Sequence, residues 1–290
     1  MTSRPGAKAA YFDEARRGFH AALLDNGLLT ADNGIPTNAD KHSRPSVEIA
    51  KGILSLLGSK TKGARLAGQM SGSKFEEVVG QYLEAVFPRL HPLRPGKYEV
   101  IKGSTRLAIA ACDQYDHLAA VEAAAKADPV LAVSLGIDYL IKPDVMVLRR
   151  PESDELINRD ELLVDRSIAK RTSIRAVNNS KAILHASVSC KWTLRSDRAQ
   201  NARSEALNLV RNRKGRLPHV VVVTGEPTPG RIASIALGTG DIDCVYHIAL
   251  DELVETVDAL GYEDSRELLN TMIEGKRLRD IADLPFDLAT

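Results

Sequence analysis

Apolar residues recur at helical spacing in the first part of the chain, which predicts three helices. The first helix begins at Tyr11 and continues until Asn26 and Gly27 offer a stop, and the other two cover residues 47–58 and 71–87. Gly, Pro, Asn, Asp and Ser dominate residues 31–46, so a loop is predicted there, with Ser46 as the N-cap of the second helix. Loops of this length inside a compact domain are usually functional or disordered. The loop is therefore a place to look for functional residues.

The middle of the chain changes pattern twice. Residues 91–103 are polar and rich in Pro and Gly, and residues 104–126 are rich in Ala, which predicts a loop and then a long helix. Residues 136–150 are rich in branched apolar side chains and predict the first strand. Pro143 and Asp144 lie inside that strand. A buried aspartate is costly unless it is paired or binds a metal, so Asp144 is a candidate functional residue.

Residues 184–192 alternate between apolar and polar positions, which predicts a second strand. Ser189 and Lys191 fall on the same face of that strand. Helical spacing begins immediately afterwards, where Ser196 or Asp197 can cap a helix. The sequence therefore predicts a strand that leads directly into a helix.

Further strands follow. Residues 217–227 form a continuous apolar run typical of a buried strand, and residues 242–250 predict a last strand before a helical region at 251–290. The order strand, helix, strand implies a right-handed parallel crossover. The pattern predicts an α/β protein.

Composition limits the class of protein. The chain has 290 residues, of which 44% are hydrophobic, enough for one large core. Its three cysteines are widely spaced and odd in number, which favours a reducing compartment over a disulfide framework or a zinc site. No apolar run approaches the roughly 18 residues of a membrane span, and no signal pattern begins the chain. We expect a cytoplasmic protein with no membrane association.

Positive charge is concentrated in one segment. Residues 191–216 contain eight Lys or Arg and two acidic residues, whereas the whole chain has a net charge of +1. A local basic element in an otherwise balanced protein suits a polyanionic partner such as DNA. A solvated basic helix face explains the charge equally well.

Four polar residues converge if the two strands and the helix pack together, namely Asp144, Ser189, Lys191 and Glu205. Two carboxylates and a lysine are suited to metal-dependent hydrolysis of a phosphodiester. Carboxylate oxygens bind Mg²⁺, which withdraws charge from the phosphate and lowers the pKa of bound water. The lysine would position that water or help to deprotonate it.

The chain resembles the PD-(D/E)xK nucleases, and within them the type II restriction endonucleases that recognise a central CCGG. Forty-six residues separate Asp144 from Lys191, and thirteen separate Lys191 from Glu205, which is the spacing of that subgroup. A member that cuts GCCGGC is similar across most of the chain. The similar segments are residues 37–40, 68–76, 187–224, 226–247 and 275–285.

The resemblance implies an active site and a cofactor. Ser189 stands where most PD-(D/E)xK nucleases have an acid, and in this subgroup the following helix supplies the carboxylate, here Glu205. Glu76 is implied as a further active-site carboxylate, while its neighbour Glu77 is expected to be an ordinary helix residue. Asp144, Glu205 and the carbonyl of Cys190 are implied as ligands of Mg²⁺.

The resemblance also implies a set of DNA contacts. Arg195, Asp197 and Arg198 are implied to contact CCGG in the major groove, and the chemistry agrees, because arginine pairs with guanine and aspartate with cytosine. The remaining implied contacts are Gln69 in the minor groove, and Asp40 with Arg231 at the outer base pair. Lys214 and Arg216 are either phosphate contacts or solvated charges.

The resemblance implies a single nuclease-like domain over residues 1–290, with a central mixed β-sheet flanked by helices. Residues 1–135 would be mainly helical, residues 136–250 would form the catalytic sheet and recognition helix, and residues 251–290 the C-terminal helices. A homotetramer is implied that binds double-stranded DNA and cuts GCCGGC after the first G, leaving four-base 5′ overhangs.

Three other functions fit part of the pattern. A repair nuclease would keep Asp144, Lys191 and Glu205 but lack the arginine-rich segment after the strand. A catalytically inactive DNA-binding module would have lost one of these three residues, and none is lost. A serine hydrolase using Ser189 would need a G-x-S-x-G turn, which is absent from the sequence around it.

Overall fold

The computed structural model describes residues 9–58, 68–103, 109–135, 141–238 and 240–290; within them, only the backbone of Gly68, Gln69 and Leu135 is described. The helices are α1 Tyr11–Asp25, α2 Arg44–Leu56, α3 Gly68–Val86, α4 His117–Ala127, α5 Pro129–Leu135, α6 Asp154–Ile157, α7 Ser196–Asn212, α8 Pro229–Ala236, α9 Leu250–Ala259, α10 Glu263–Glu274 and α11 Leu284–Leu288. Over this part of the chain, none of the helices has the length and hydropathy needed to cross a bilayer.

A six-stranded sheet forms the centre of the molecule. The strands are β1 Ala31–Asp32, β2 Ile35–Pro36, β3 Lys97–Lys102, β4 Val145–Arg150, β5 Ile183–Lys191, β6 His219–Thr224, β7 Cys244–His247 and β8 Leu278–Asp280. β1 and β2 form a separate small hairpin, and β3 to β8 lie in the order of the chain. The pairs β3–β4 and β4–β5 are antiparallel, whereas β5 to β8 are parallel. The predicted α/β class and central mixed sheet flanked by helices are confirmed.

β5 is one of the two central strands, and both of its faces are largely buried. It pairs with β4 on one side and with β6 on the other, and α7 connects it to β6. β6 contains four consecutive valines, because a parallel strand covered on both faces needs apolar side chains in both directions. The predicted strand–helix–strand unit with parallel strands is thus confirmed.

α3 packs against this sheet through the face that the sequence predicted. Its inner side chains are all nearly inaccessible to solvent, and they are Phe75, Val78, Val79, Tyr82, Leu83 and Val86. Burial of each large apolar side chain contributes about 1.5 to 3 kcal/mol. The packing sets the position of the polar residues on the same helix.

The two edge strands of the sheet, β3 and β8, were not predicted. β3 lies within residues 91–103, which were predicted to be a loop, and β8 lies within the C-terminal region predicted to be helical. β3 is an edge strand whose side chains are exposed or half-buried, so it lacks a strong apolar signal. β8 has only three residues, too few to show a period of two.

The strand predicted at 136–150 and the helix predicted at 104–126 are shorter than expected. The strand begins only at Val145, after the Pro143–Asp144 pair, and residues 136–140 lie outside the described part. In the second region α4 begins at His117, and two short 3-10 turns precede it. Residues 104–108 lie outside the described part. High alanine content favours helix but does not decide where it begins.

The predicted helix caps were wrong. Ser43 caps α2, since its hydroxyl accepts from the backbone N–H of Ser46 at 3.4 Å. The Ser46 hydroxyl instead accepts from the N–H of Asp40 at 2.9 Å and so fixes the preceding loop. α7 begins at Ser196, and Arg195 occupies the N-cap position without a side-chain capping bond.

Candidate active site

Strand direction brings the predicted catalytic residues together. Asp144 directly precedes β4, and the antiparallel register pairs Val145 with Val188 of β5. The beginning of β4 therefore lies beside the end of β5, where Ser189 and Lys191 are located. α7 follows β5 after a short connection, and its third turn carries Glu205.

Asp144, Ser189, Lys191 and Glu205 form a hydrogen-bonded group, here called the carboxylate–lysine cluster. Oδ2 of Asp144 accepts from the backbone N–H of Cys190 at 2.7 Å and from Nζ of Lys191 at 3.2 Å. Nζ of Lys191 lies 3.7 Å from Oε2 of Glu205. The Ser189 hydroxyl donates to the same oxygen at 3.3 Å. The lysine therefore bridges two carboxylates from different elements.

Burial makes the charges of this cluster interdependent. The side chains of Lys191 and Asp144 are 14% and 17% exposed. Burial raises the pKa of Glu205, and Lys191 opposes that shift. Burial lowers the pKa of Lys191, but Asp144 and Glu205 outweigh it, so the lysine pKa is raised. Lys191 is thus held as a charged ammonium group between two carboxylates, where it can donate hydrogen bonds.

The two neighbouring glutamates on α3 differ. Glu76 is half-buried, and burial and then the charge of Asp144 raise its pKa, while Lys191 opposes them. The charges of Asp144, Lys191 and Glu205 all influence the pKa of Glu76, so its carboxylate lies within electrostatic range of the cluster. Glu77 is exposed, and its carboxylate lies 3.4 Å from Nζ of Lys74. The two side chains thus differ in burial and in the charges around them.

Cys190 contributes backbone groups to this region. Its side chain is 4% exposed, and burial raises the pKa of its thiol well above the usual value. The thiol is thus part of the core. Within the described ranges, no three His, Cys, Asp or Glu side chains are grouped to bind a metal. The predicted donor set consists of two carboxylates, Asp144 and Glu205, and one backbone carbonyl.

A second polar region, here called the arginine cleft, adjoins the N-terminal end of α7. The main part has a volume of about 850 Å³, and a smaller part of about 160 Å³ adjoins it. Asp40, Arg195 and Arg231 line both parts, and Arg198 lines the smaller one. Asp197 is exposed in the first turn of α7.

Two of these side chains have defined partners. Nη1 of Arg198 donates to the hydroxyl of Thr193 at 2.9 Å. Arg231, in the first turn of α8, forms an ion pair with Asp40. The hydrogen bond from Arg231 is the main reason that the pKa of Asp40 is lowered. The two residues assigned to the outer base pair are thus in direct contact although 191 positions separate them in the chain.

The other predicted DNA contacts are less defined. Gln69 lies at the beginning of α3, but its side chain is outside the described part. Lys214 and Arg216 line a separate cavity beside Leu184, near the beginning of β5 and at the opposite end of that strand from Lys191. They are not among the residues that line the arginine cleft.

One charged residue of this region has no role in the sequence predictions. Glu226 follows β6 and is fully buried, and its Oε2 accepts from the backbone N–H of Leu194 at 2.8 Å. An acid three residues after a run of four valines is a signal in the sequence that could have identified Glu226, because a buried carboxylate needs partners.

The comparisons with known proteins agree with one another. A family model described as NgoMIV restriction enzyme matches residues 19–290. The chain is 54% identical over 281 residues to the type II restriction enzyme NgoMIV of Neisseria gonorrhoeae, covering 96% of this chain and 98% of that protein. The matched range includes the carboxylate–lysine cluster and the arginine cleft.

Proposed function

The chain belongs to the NgoMIV restriction enzyme family and is a type II restriction endonuclease acting on double-stranded DNA, and from this premise we propose that it cuts GCCGGC after the first G. The observation that carries the proposal is the position of the arginine cleft. Arg195, beside this cleft, lies only four residues beyond Lys191 of the carboxylate–lysine cluster. Base recognition and phosphodiester cleavage can thus occur on one stretch of DNA.

The cleft residues have the chemistry for G·C pairs. Arg195 and Arg198 can each donate two hydrogen bonds to O6 and N7 of guanine, and Asp197 can accept from N4 of cytosine. We assign these three residues to the inner CCGG. Asp40 and Arg231 carry the same two functional groups in direct contact, which suits them to the two bases of one outer G·C pair. Gln69 is assigned to the minor groove on family resemblance.

The carboxylate–lysine cluster suits Mg²⁺. Carboxylates of Asp144 and Glu205 and the carbonyl of Cys190 are the hard oxygen donors that this ion prefers. Bound Mg²⁺ would withdraw charge from the scissile phosphate and lower the pKa of a water. The shared contact with Lys191 supports this assignment, since it shows that both carboxylates face one small volume.

The other residues in and beside the cluster have proposed roles that follow from their positions. The N–H of Cys190 orients Asp144, and the Ser189 hydroxyl orients Glu205. The Lys191 ammonium group donates to the phosphate or to the attacking water. Glu76 supplies a further carboxylate at the edge of the cluster.

We propose a homotetramer. A palindromic site needs two copies related by a two-fold axis, and two such dimers can hold two sites at once. The oligomer should then cut a plasmid with two sites faster than one with a single site. The mass in solution and the two cleavage rates test this. A dimer with equal rates on both plasmids would contradict it.

A digest of a fully sequenced DNA with Mg²⁺, followed by sequencing of the fragment ends, tests the recognition sequence. The expected ends are four-base 5′ overhangs with the sequence CCGG. In the intact DNA, a G·C pair should flank this sequence on each side. Omission of the metal and Lys191→Ala serve as controls for contaminating nucleases. Ends at any other sequence would contradict the proposed site, and cleavage without added metal in the presence of a chelator would contradict the metal assignment.

A further inference from the structure

Glu226 lies between the segments that carry the two recognition arginines. Its carboxylate follows β6 and is fully buried. Oε2 accepts from the N–H of Leu194, directly before Arg195, at 2.8 Å. Oε1 accepts from the N–H of Thr228 at 3.1 Å, in the segment that leads to Arg231. One carboxylate thus holds the backbone on both sides of the arginine cleft.

Further contacts extend this arrangement. Nη1 of Arg231 lies 3.9 Å from Oε2 of Glu226, so the buried charge also faces the arginine directly. The Asn38 side chain donates to the carbonyl of Gly225 at 2.8 Å, which ties the loop that carries Asp40 to the same point. A Cβ atom at Gly225 would lie 2.9 Å from the Trp192 ring, so the backbone approaches that ring closely.

A buried carboxylate is stable only with partners such as these. Burial raises the pKa of Glu226, and the hydrogen bonds from Leu194 and Thr228 oppose the shift. These bonds come from backbone groups, so they determine where the two chain segments lie rather than where a side chain points.

We propose that Glu226 is a positioning residue that fixes Arg195 and Arg231 relative to each other, so that one carboxylate controls specificity at both the inner and the outer base pairs. This role rests on the proposed function, since it assigns Arg195 to CCGG and Arg231 to the outer pair. Glu226 itself does not contact DNA. It acts through the backbone of Leu194 and Thr228.

Glu226→Gln tests the proposal. Glutamine keeps the size of the side chain but replaces one carboxylate oxygen with an NH₂ group, which cannot accept from the N–H that this oxygen binds. Affinity is measured for three duplexes that contain GCCGGC, ACCGGT or GACGTC, with Ca²⁺ in place of Mg²⁺. The ratios of affinity for GCCGGC to affinity for each altered site report outer and inner discrimination separately.

A matched control exists elsewhere in the fold. Asp280 is also buried, accepts from the backbone N–H groups of Leu250 and Ala282, and pairs with Arg16. It is not among the residues that line the arginine cleft. Asp280→Asn thus removes a comparable buried charge without affecting the cleft, and thermal unfolding of both variants reports any general loss of stability.

Glu226→Gln is expected to lower both discrimination ratios by about tenfold or more, the effect of losing a well-aligned base contact. Asp280→Asn should leave both ratios unchanged. An equal loss of affinity for all three duplexes, or a loss of only one ratio, would overturn the positioning role. If Glu226→Gln does not fold, Glu226→Asp shortens the side chain while keeping its charge, and the same outcomes apply.

Failure of the positioning role is distinct from failure of the proposed function. The proposed function fails if the wild-type protein shows no preference for GCCGGC. The positioning role fails if the wild-type protein discriminates and Glu226→Gln discriminates equally well.

Discussion

The carboxylate–lysine cluster and the arginine cleft lie side by side, yet their charged residues are held in different ways. In the cluster, side chains contact each other directly, and Lys191 lies between Asp144 and Glu205. In the cleft, the backbone beside Arg195 and Arg231 is bound to the buried carboxylate of Glu226. Arg195 itself is exposed. Contacts between charged side chains dominate the first region, whereas the second combines one ion pair, Asp40 with Arg231, with placement of the backbone by Glu226.

This difference predicts that catalysis and recognition can be separated by substitution. Removing one charge of the cluster leaves its charged neighbours without their partner. The backbone of the cleft, which is bound to Glu226, should stay in place. Removing a cleft arginine should remove one proposed base contact but leave the ion pairs of the cluster in place. The following predictions test that separation, beginning with the largest effect.

Lys191→Ala should slow cleavage by about 10²- to 10⁴-fold, the range for loss of a group that acts on the reacting atoms. Binding to GCCGGC should remain, because the proposed base contacts lie in the arginine cleft. Single-turnover cleavage and equilibrium binding measure the two effects. Lys102→Ala is the control, since that lysine pairs with Glu84 outside both regions. Cleavage by Lys191→Ala at the wild-type rate would rule out its proposed role.

The relocated carboxylate can be tested by exchange. Ser189→Glu combined with Glu205→Ser should be more active than Glu205→Ser alone, because the two side chains meet at 3.3 Å. A double-mutant cycle should give a coupling energy of about 1 to 3 kcal/mol, typical of residues in contact. Equal inactivity of the single and the double variant would show that the two positions are not interchangeable.

Arg231→Ala should relax the outer base pair while CCGG remains essential. Losing one base contact lowers discrimination by about 1 to 3 kcal/mol. Relative cleavage rates on GCCGGC and ACCGGT measure this, and Arg266→Ala, which removes an arginine paired with Asp258, is the control. If the wild-type protein cut both sequences equally well, the assignment of Asp40 and Arg231 would fail while that of CCGG survived.

Acid should weaken the fold that supports both regions. His247 is fully buried, and burial lowers its pKa to about 4. Its Nδ1 accepts from the N–H of Ala249, so the folded protein holds the neutral ring. Between the folded pKa and the unfolded value near 6.5, the unfolded chain binds more protons, and stability falls as the pH falls.

The expected loss from this histidine is about 2 kcal/mol between pH 7 and pH 5. Denaturant unfolding at several pH values measures it, and His247→Asn should show a weaker dependence over the same range. An unchanged dependence would exclude His247 as a source of acid sensitivity. Cleavage and binding of the variants should therefore be measured above pH 7, where the protonation of His247 does not lower the stability of the fold.

Local sequence patterns predicted much of the catalytic region. Alternation placed Ser189 and Lys191 on one face of a strand, and helical spacing placed Glu205 on the helix that follows. Asp144 was identified because an acid in an apolar run needs a partner, and the structure shows that partner to be Lys191. The same argument applied to Glu226 would have identified it as well.

Distant contacts were predicted only through family resemblance or not at all. Nothing in the loop around Asp40 indicates an ion pair with Arg231, and no local pattern connects Glu226 with Leu194. The edge strands β3 and β8 were missed because exposed or very short strands lack an apolar period. The cap of α2 was misplaced because Ser43 and Ser46 both lie near the beginning of the helix and both carry a hydroxyl that can cap it.

The sequence by itself determined the α/β class, the strand and helix that carry Ser189, Lys191 and Glu205, and the local excess of positive charge. These properties depend on residues a few positions apart, whose spacing decides which faces are buried. The tertiary structure decided that Asp144 meets Lys191, that Asp40 meets Arg231, and that Glu226 holds both sides of the cleft. Those contacts depend on sheet order and strand register, which are set by the packing of the whole core.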